Sequence, residues 1–210
     1  MKKIIITLIC MFCFNTFHAQ QNAITETGQE VILFEDGTWK YQEAEEIVEK
    51  EIQTNPAKFA KDKDATFLLK SDKLNIGFWI NPKIWSFKKP TENSESEYKL
   101  QIKSGDLYGM IITEKVEIPL ETLKLLALEN GKKVAPDLKI IKEEYRIVND
   151  NKILLLQMNG TIKGIKFTYY GYYYSNANGT VQFITYSSTK ILESNKPKVE
   201  VLLNGLVELN

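Results

Sequence analysis

Two stretches, ILLL at residues 153–156 and FTYYGYYY at residues 167–174, are apolar or aromatic at almost every position. Successive side chains of a β-strand point to opposite faces of the sheet, so both faces of these predicted strands are apolar. Strands of this kind are usually covered on both faces. Each therefore predicts a central strand with protein packed above and below it.

The segments around these two strands predict the rest of the architecture. Alternating apolar residues indicate strands before them, at residues 98–103 and 141–147, and Pro119 opens a predicted helix that ends near Gly131. A second amphipathic helix is predicted over residues 196–209. Several strands, a helix, four strands and a helix indicate an α+β fold: an antiparallel sheet flanked by helices on both faces, or α/β/α sandwich.

The tyrosines of the second stretch are the most prominent candidates for a binding surface. Tyrosine combines a large apolar face with a polar tip, which suits sugar stacking or a protein interface. Alternation places Tyr169 and Tyr173 on one face of the strand and Tyr170, Tyr172 and Tyr174 on the other, so they cannot form one patch. The competing interpretation is that most of them fill the layers between sheet and helices.

The first nineteen residues resemble a secretory signal peptide. Lys2 and Lys3 precede an apolar run over residues 4–14, which is too short for a spanning helix of about 20 residues, and Ala19 offers a small residue for cleavage. An uncleaved N-terminal anchor is the alternative. We expect no membrane-spanning segment after cleavage and a periplasmic or secreted location.

Cleavage would remove both cysteines and the one histidine, which are Cys10, Cys13 and His18. Thiol nucleophiles, Ser-His-Asp triads and Cys- or His-based zinc sites would then be excluded. Removal of Lys2 and Lys3 from 27 basic and 27 acidic residues leaves 25 against 27, a net charge of −2. Nucleic-acid binding normally needs a basic surface, so we expect none. The sequence indicates no cofactor and no metal.

The mature chain divides into three predicted parts. Residues 20–43 contain a β-hairpin, because the strand at residues 31–34 is followed by a turn at residues 35–38 and by the returning Trp39 and Tyr41. Residues 44–65 are rich in charge and are predicted to be a partly helical linker. The main domain is predicted over residues 66–210.

The segment GFWINPKIW at residues 77–85 resembles the opening of PsbP-like domains, in which a short strand runs into a proline and then a tryptophan. The ending is similar too: a long hairpin over residues 167–186 is followed by a polar gap and a closing amphipathic helix. The resemblance covers about residues 66–210 and implies an antiparallel sheet flanked by helices, with accessory roles that consist of docking onto larger complexes. The N-terminal hairpin and the Lys- and Asn-rich composition resemble exported envelope proteins of the Bacteroidetes.

The sequence therefore predicts a non-enzymatic accessory or binding protein of the cell envelope, with another envelope protein as its partner. It would use the N-terminal hairpin or an exposed sheet edge. One alternative is a small-ligand carrier with an aromatic-lined pocket between sheet and helix. A less favoured one is a carboxylate-based enzyme acting on glycans. The candidate binding residues are Trp39, Tyr41, Trp79, Trp85, Tyr170 and Tyr172.

Overall fold

The computed structural model of the protein describes residues 21–25, 30–34, 36–41, 51–90 and 94–209. The predicted signal peptide at residues 1–19 lies outside the described residues. The chain divides into two compact units, residues 1–50 and residues 51–210.

The first unit contains a three-stranded antiparallel sheet in the order β1-β2-β3. Its strands are β1 (Gln21–Ile24), β2 (Glu30–Leu33) and β3 (Trp39–Tyr41). The predicted hairpin is confirmed: β2 and β3 pair with Leu33 opposite Trp39. Its turn is held by the Asp36 carboxylate, which accepts hydrogen bonds from Thr38, and by Gly37 at φ 79°. The pairing of β1 with β2 adds a strand that the sequence did not indicate.

The second unit is built on an eight-stranded sheet in the order β4-β10-β11-β12-β13-β9-β8-β7. Only the β4–β10 pair in this sheet is parallel. A smaller sheet has the order β14-β6-β5. The strands and helices are β4 (Thr54–Phe59), β5 (Phe67–Lys70), β6 (Ile76–Ile80), β7 (Trp85–Lys88), β8 (Tyr98–Ile102), β9 (Tyr108–Glu114), α1 (Leu120–Lys132), β10 (Lys139–Val148), β11 (Asn151–Ile162), β12 (Ile165–Asn176), β13 (Gly179–Ser188), α2 (Thr189–Ser194), α3 (Lys196–Leu203) and β14 (Leu206–Glu208).

Both faces of the large sheet are buried, as the sequence predicts. On one face Leu154, Leu156 and Tyr173 pack with the buried side of α1. On the other face Leu155 and Tyr172 belong to a second, larger core that includes α2, α3 and the small sheet. The α+β architecture with helices on both faces is thus confirmed, and the second face is covered by a small sheet as well as by helices.

Gly171 allows the two central strands to approach closely. It pairs with Ile184 in a register that is continuous along β12 and β13, so it marks no bulge. A Cβ atom at this position would lie 2.8 Å from the backbone oxygen of Phe183. Only glycine therefore fits here without a shift of β13.

The structure corrects two predictions about the ends of the main domain. Residues 54–59 form the edge strand β4 of the large sheet, paired with β10, rather than part of a linker. An edge strand needs few apolar residues. The charged composition of this segment therefore suggested a linker rather than a strand. Residues 42–50 of the predicted linker lie outside the described residues. The last helix, α3, ends at Leu203 instead of continuing to Leu209, and Leu206–Glu208 pairs with β6.

Candidate functional site

Four aromatic side chains lie together on the face of the large sheet that carries α1. The rings of Tyr108 and Tyr186 are stacked with centroids 5.7 Å apart. Phe167 contacts Tyr169 at 5.0 Å and Tyr186 at 6.0 Å. All four side chains are half-buried. We call Tyr108, Phe167, Tyr169 and Tyr186 the aromatic platform.

The platform is open because α1 covers only part of this face. The helix packs over β11 and β12, whereas Tyr108 and Tyr186 belong to β9 and β13, which lie further along the sheet. A helix is about 10 Å thick with its side chains, and strands are about 4.8 Å apart. One helix therefore covers only a few of the eight strands, and the neighbouring strands present their side chains outward.

A depression of about 240 Å³ adjoins the platform, and it is lined by Tyr108, Tyr186 and residues of β7 and β8. Two of these residues, Lys88 and Lys99, are direct neighbours across the strand pair. Both are exposed, and neither forms an ion pair with any residue that the structure describes. Like charges directly opposite each other destabilise a sheet. The pair therefore presents uncompensated positive charge beside the aromatic rings.

A second concavity lies between α1 and the sheet, and we call it the α1 groove. It has a volume of about 320 Å³. Tyr169 of the platform forms part of its wall, so the two features share one sheet face. The other residues that line it are Glu95, Met110, Ile112, Glu114, Ala127, Asn130, Gly131, Val134, Met158, Tyr173, Gln182 and Ile184.

Tyr173 is the unusual member of the groove wall. Its side chain is 1% exposed, and its hydroxyl has no hydrogen-bond partner among the described residues. Burial raises the pKa of Tyr173 well above that of an exposed tyrosine, so the hydroxyl stays neutral at physiological pH. An unpaired buried hydroxyl is costly.

We expect Tyr173→Phe to raise the free energy of unfolding by about 1 kcal/mol, because it removes an unpaired polar group and leaves the ring in place. Urea denaturation measures the change. The matched control is Tyr174→Phe, since the Tyr174 hydroxyl donates to Glu208 and accepts from Asn176. Tyr174→Phe should therefore lower the free energy of unfolding. Equal losses in both variants would show that Tyr173 has a partner.

The candidate residues from the sequence are scattered in the structure. Trp85, Tyr170 and Tyr172 are 2%, 0% and 0% exposed, so their prediction as part of a binding surface is corrected: they fill the core on the α2 and α3 face. Trp79 is half-buried, with the Lys61 ammonium 4.8 Å from its ring centroid. Trp39 is 53% exposed in the first unit. The side chain of Tyr41 lies outside the described residues. The platform replaces this set as the main candidate.

Tyr170 and Tyr172 instead belong to a buried network around Arg146, which the sequence analysis did not single out. Arg146 is 4% exposed. Its guanidinium donates to Glu144 at 2.6 Å, to the Tyr172 hydroxyl at 2.9 Å and to the carboxylate of Glu200 on α3. Burial is the largest single influence on the pKa of Arg146 and acts to lower it, but Glu200, Tyr172 and Tyr170 together more than offset it, so the pKa is raised. All three guanidinium nitrogens are engaged, so the network fastens α3 to the sheet.

The two edges of the large sheet are poor templates for strand addition. β4 contains Pro56, which cannot donate a ladder hydrogen bond, and β7 is four residues long and ends at Lys88. Short strands, proline and lysine are the features that discourage edge pairing. This weakens the hypothesis that a partner binds at an edge of the large sheet.

No helix in the described part of the chain is long and apolar enough to cross a membrane. Within residues 21–209, excluding the gaps in the description, no group of three or more His, Cys, Asp or Glu side chains could hold a metal ion.

Comparison with known proteins identifies the fold. No family model matches the sequence, and no curated protein matches it. The structure is similar to the solution structure of cyanobacterial PsbP (CyanoP) from Synechocystis sp. PCC 6803, with a TM-score of 0.52 at 11% identity over 68% of this chain and 91% of that one.

Two further structures resemble it less. One is PA94 of Pseudomonas aeruginosa, a protein of unknown function, with a TM-score of 0.45 at 13% identity over 69% of this chain and 97% of that one. The other is LpqN of Mycobacterium tuberculosis, involved in cell envelope biogenesis, with a TM-score of 0.47 at 10% identity over 69% of this chain and 90% of that one. At these identities the likeness concerns the fold alone. The chain has a PsbP-like fold.

Proposed function

We propose that this protein is a non-catalytic binding protein of the cell envelope that docks onto another envelope protein through the aromatic platform. The observation that carries the proposal is the cluster of four half-buried rings on a sheet face that α1 leaves open. Tyrosine is enriched at the energetic centres of protein interfaces, where a partner excludes water from its ring.

The charge beside the platform indicates the chemistry of the partner. Lys88 and Lys99 lie at the rim of the rings and lack an intramolecular counter-charge among the described residues. Complementary charge at the rim of an interface accelerates association and selects the partner. We therefore propose a partner whose docking segment combines an apolar or aromatic side chain with acidic residues.

Two further points support the envelope location and the absence of catalysis. The predicted signal peptide directs the chain out of the cytoplasm and would remove Cys10, Cys13 and His18. The resemblance of residues 66–210 to PsbP-like domains implies an accessory role that consists of docking onto larger complexes.

Site-specific photo-crosslinking in cells tests this proposal. A photoreactive residue replaces Gln101, which is exposed in the depression beside the platform, and in a second strain replaces Lys190, which is exposed on α2. We expect one defined envelope protein to be captured at position 101 and not at position 190. The double variant Lys88→Glu/Lys99→Glu should reduce capture at position 101 at least tenfold, because like-charge contacts oppose docking.

Equal capture at both positions, or capture that is insensitive to the charge reversal, would contradict docking on the platform. Circular dichroism of the charge-reversed variant provides the folding control, since Lys88 and Lys99 are exposed and their replacement should leave the spectrum unchanged.

A second candidate function is the carriage of a small ligand. The solid core around Trp85 argues against the tryptophan-lined pocket that the sequence suggested. The α1 groove is the observation that favours carriage, because it lies between helix and sheet and contains Tyr169 and Tyr173. Its volume of about 320 Å³ is in the usual range for ligand sites.

A further inference from the structure

We infer that the docking segment of the partner is an amphipathic α-helix that lies beside α1, over strands β13 and β9. The inference rests on the proposed docking function and names the structural element that the platform receives. It joins the platform and the α1 groove into one binding surface, which we call the helix slot. The slot consists of Tyr108, Met110, Ile112, Ile184 and Tyr186 on the sheet and of Ala127 and Val134 on the α1 side.

The spacing of helices and strands leaves room for a helix at this position. α1 packs over β11 and β12, and β13 and β9 are the next two strands of the sheet. Helices that pack side by side lie about 8–10 Å apart, which is close to twice the strand spacing of about 4.8 Å. A second helix in the layer of α1 would therefore lie over β13 and β9.

The sheet surface under this position is apolar and continuous. Tyr108, Met110 and Ile112 alternate along β9 and therefore share one face. Tyr186 and Ile184 lie directly opposite Tyr108 and Met110 on the neighbouring strand β13. Apart from Ile184, which is buried, these side chains are half-buried. They form an apolar surface two strands wide, which a single helix would cover.

The α1 side of the slot is also apolar and open to water. Val134, which directly follows α1, lines the α1 groove and is 57% exposed. The groove has a volume of about 320 Å³ and extends from Val134 and Ala127 to Met110 and Ile184. Side chains of a helix beside α1 would fill it, as in complexes that bind an amphipathic helix in an apolar groove.

The charges that border the slot indicate the polar flanks of the helix. Lys99 lies on β8 directly opposite Met110, and Lys88 lies opposite Lys99 on β7. Neither lysine forms an ion pair with a described residue. Glu114, the last residue of β9, lines the groove together with Glu95. We therefore expect apolar residues at i, i+3, i+4 and i+7, acidic residues on the flank that faces β8, and a basic residue at the Glu114 end.

Crosslink mapping in cells, with the full chain, tests for the helix. A photoreactive residue replaces Gln101 on the β8 side of the slot, and in a second strain replaces Val134 on the α1 side. We expect both positions to capture the same envelope protein through one segment. The crosslinked partner residues, located by mass spectrometry, should be spaced three, four or seven apart. A photoreactive residue at Leu125, which is exposed on α1 outside the slot, should capture none.

Val134→Glu and Leu125→Glu form a matched pair of variants. Both replace an exposed apolar residue at α1 with a charged one, but only Val134 lines the slot. Val134→Glu should reduce capture at position 101 by about fivefold, because it places a charge against the apolar face of the helix, and Leu125→Glu should leave capture unchanged. Circular dichroism of both variants provides the folding control.

The possible outcomes separate this inference from the proposed function. Crosslinked partner residues spaced two apart would indicate an added strand and would overturn the helix, as would capture of a second copy of this chain. Capture at position 101 without capture at position 134 would also overturn the helix slot and leave docking on the platform standing. Absence of capture at position 101 would contradict the proposed function itself.

Discussion

Replacement of Arg146 by alanine is expected to lower the free energy of unfolding by about 3–5 kcal/mol. The side chain is 4% exposed and is bonded to Glu144, Glu200 and two tyrosine hydroxyls. Its removal leaves the Glu144 carboxylate, whose pKa Arg146 lowers against the opposing effect of burial, without its main counter-charge. Breaking one side of a buried ion pair costs far more than breaking an exposed one.

The loss should extend to α3, because Glu200 is the residue through which that helix is fastened to β10. Urea denaturation gives the magnitude, and hydrogen exchange of the α3 amides locates it. The matched control is Lys142→Ala, which removes the partly exposed Lys142–Glu144 pair at 3.3 Å and should cost less than 1 kcal/mol. Similar losses for the two variants would contradict a structural role for the buried network.

Raising the pH from 10 to 12 is expected to unfold the main domain cooperatively. Burial raises the pKa of Tyr172 to about 12 and that of Tyr174 to about 12. Burial also raises the pKa values of Tyr145, Tyr170 and Tyr173 above that of a free phenol. These groups stay neutral in the folded protein at pH values where the unfolded chain ionises.

The sign follows from linkage. A raised folded-state pKa contributes stability that is fully present below about pH 10 and is lost as the pH rises through the folded value, by about 1.4 kcal/mol per pH unit for each tyrosine. Because several tyrosines act in the same direction, the midpoint of urea unfolding should be constant from pH 8 to 9.5 and then fall steeply.

Tyrosinate absorbance near 295 nm and near-ultraviolet circular dichroism, recorded on one sample, test this expectation. Most of the absorbance change should coincide with loss of the dichroism signal. Tyr108 serves as an internal reference, since its half-buried ring lies on the open platform and its pKa is raised chiefly by Asp106 rather than by burial. Full ionisation of the tyrosines in a protein with native dichroism would contradict the expectation.

The sequence was sufficient to predict the layers of the fold, because the evidence for them is local. Leu154 and Leu155 are neighbours on one strand and are buried in different cores. Because successive side chains of a strand point to opposite faces, the sequence alone indicated that both faces of the sheet are covered by other parts of the chain. The split of the tyrosines, with Tyr173 on one face and Tyr172 on the other, follows from the same argument and is confirmed.

The candidate site could not be predicted in this way, because its members come from distant strands. Tyr108 and Tyr186 become neighbours only through the pairing of β9 with β13. Whether a tyrosine is buried or half-exposed depends on which strands α1 covers, and no local pattern encodes that. The sequence analysis consequently favoured Tyr170 and Tyr172, whose environment is the interior beneath α3.

The last helix was overextended for a related reason. Leu206 continues the i, i+3, i+4, i+7 spacing of Val199, Leu202 and Leu203, so the periodicity favoured one long helix. In the structure Leu206 is buried in the same core as these residues, but it belongs to strand β14 and not to the helix. Apolar spacing reports which residues are buried and does not by itself distinguish the final turn of a helix from a strand that returns to the same core.

The most direct test of the proposed docking function is quantitative recovery of the crosslinked envelope partner with three forms of the chain: the wild type, Tyr108→Ser/Tyr186→Ser, and a deletion of residues 20–43. We predict that the platform variant loses at least nine-tenths of the partner, and that the deletion retains most of it because the main contact lies on the platform. Full recovery with the platform variant, together with loss on deletion, would contradict the account and assign the contact to the N-terminal hairpin.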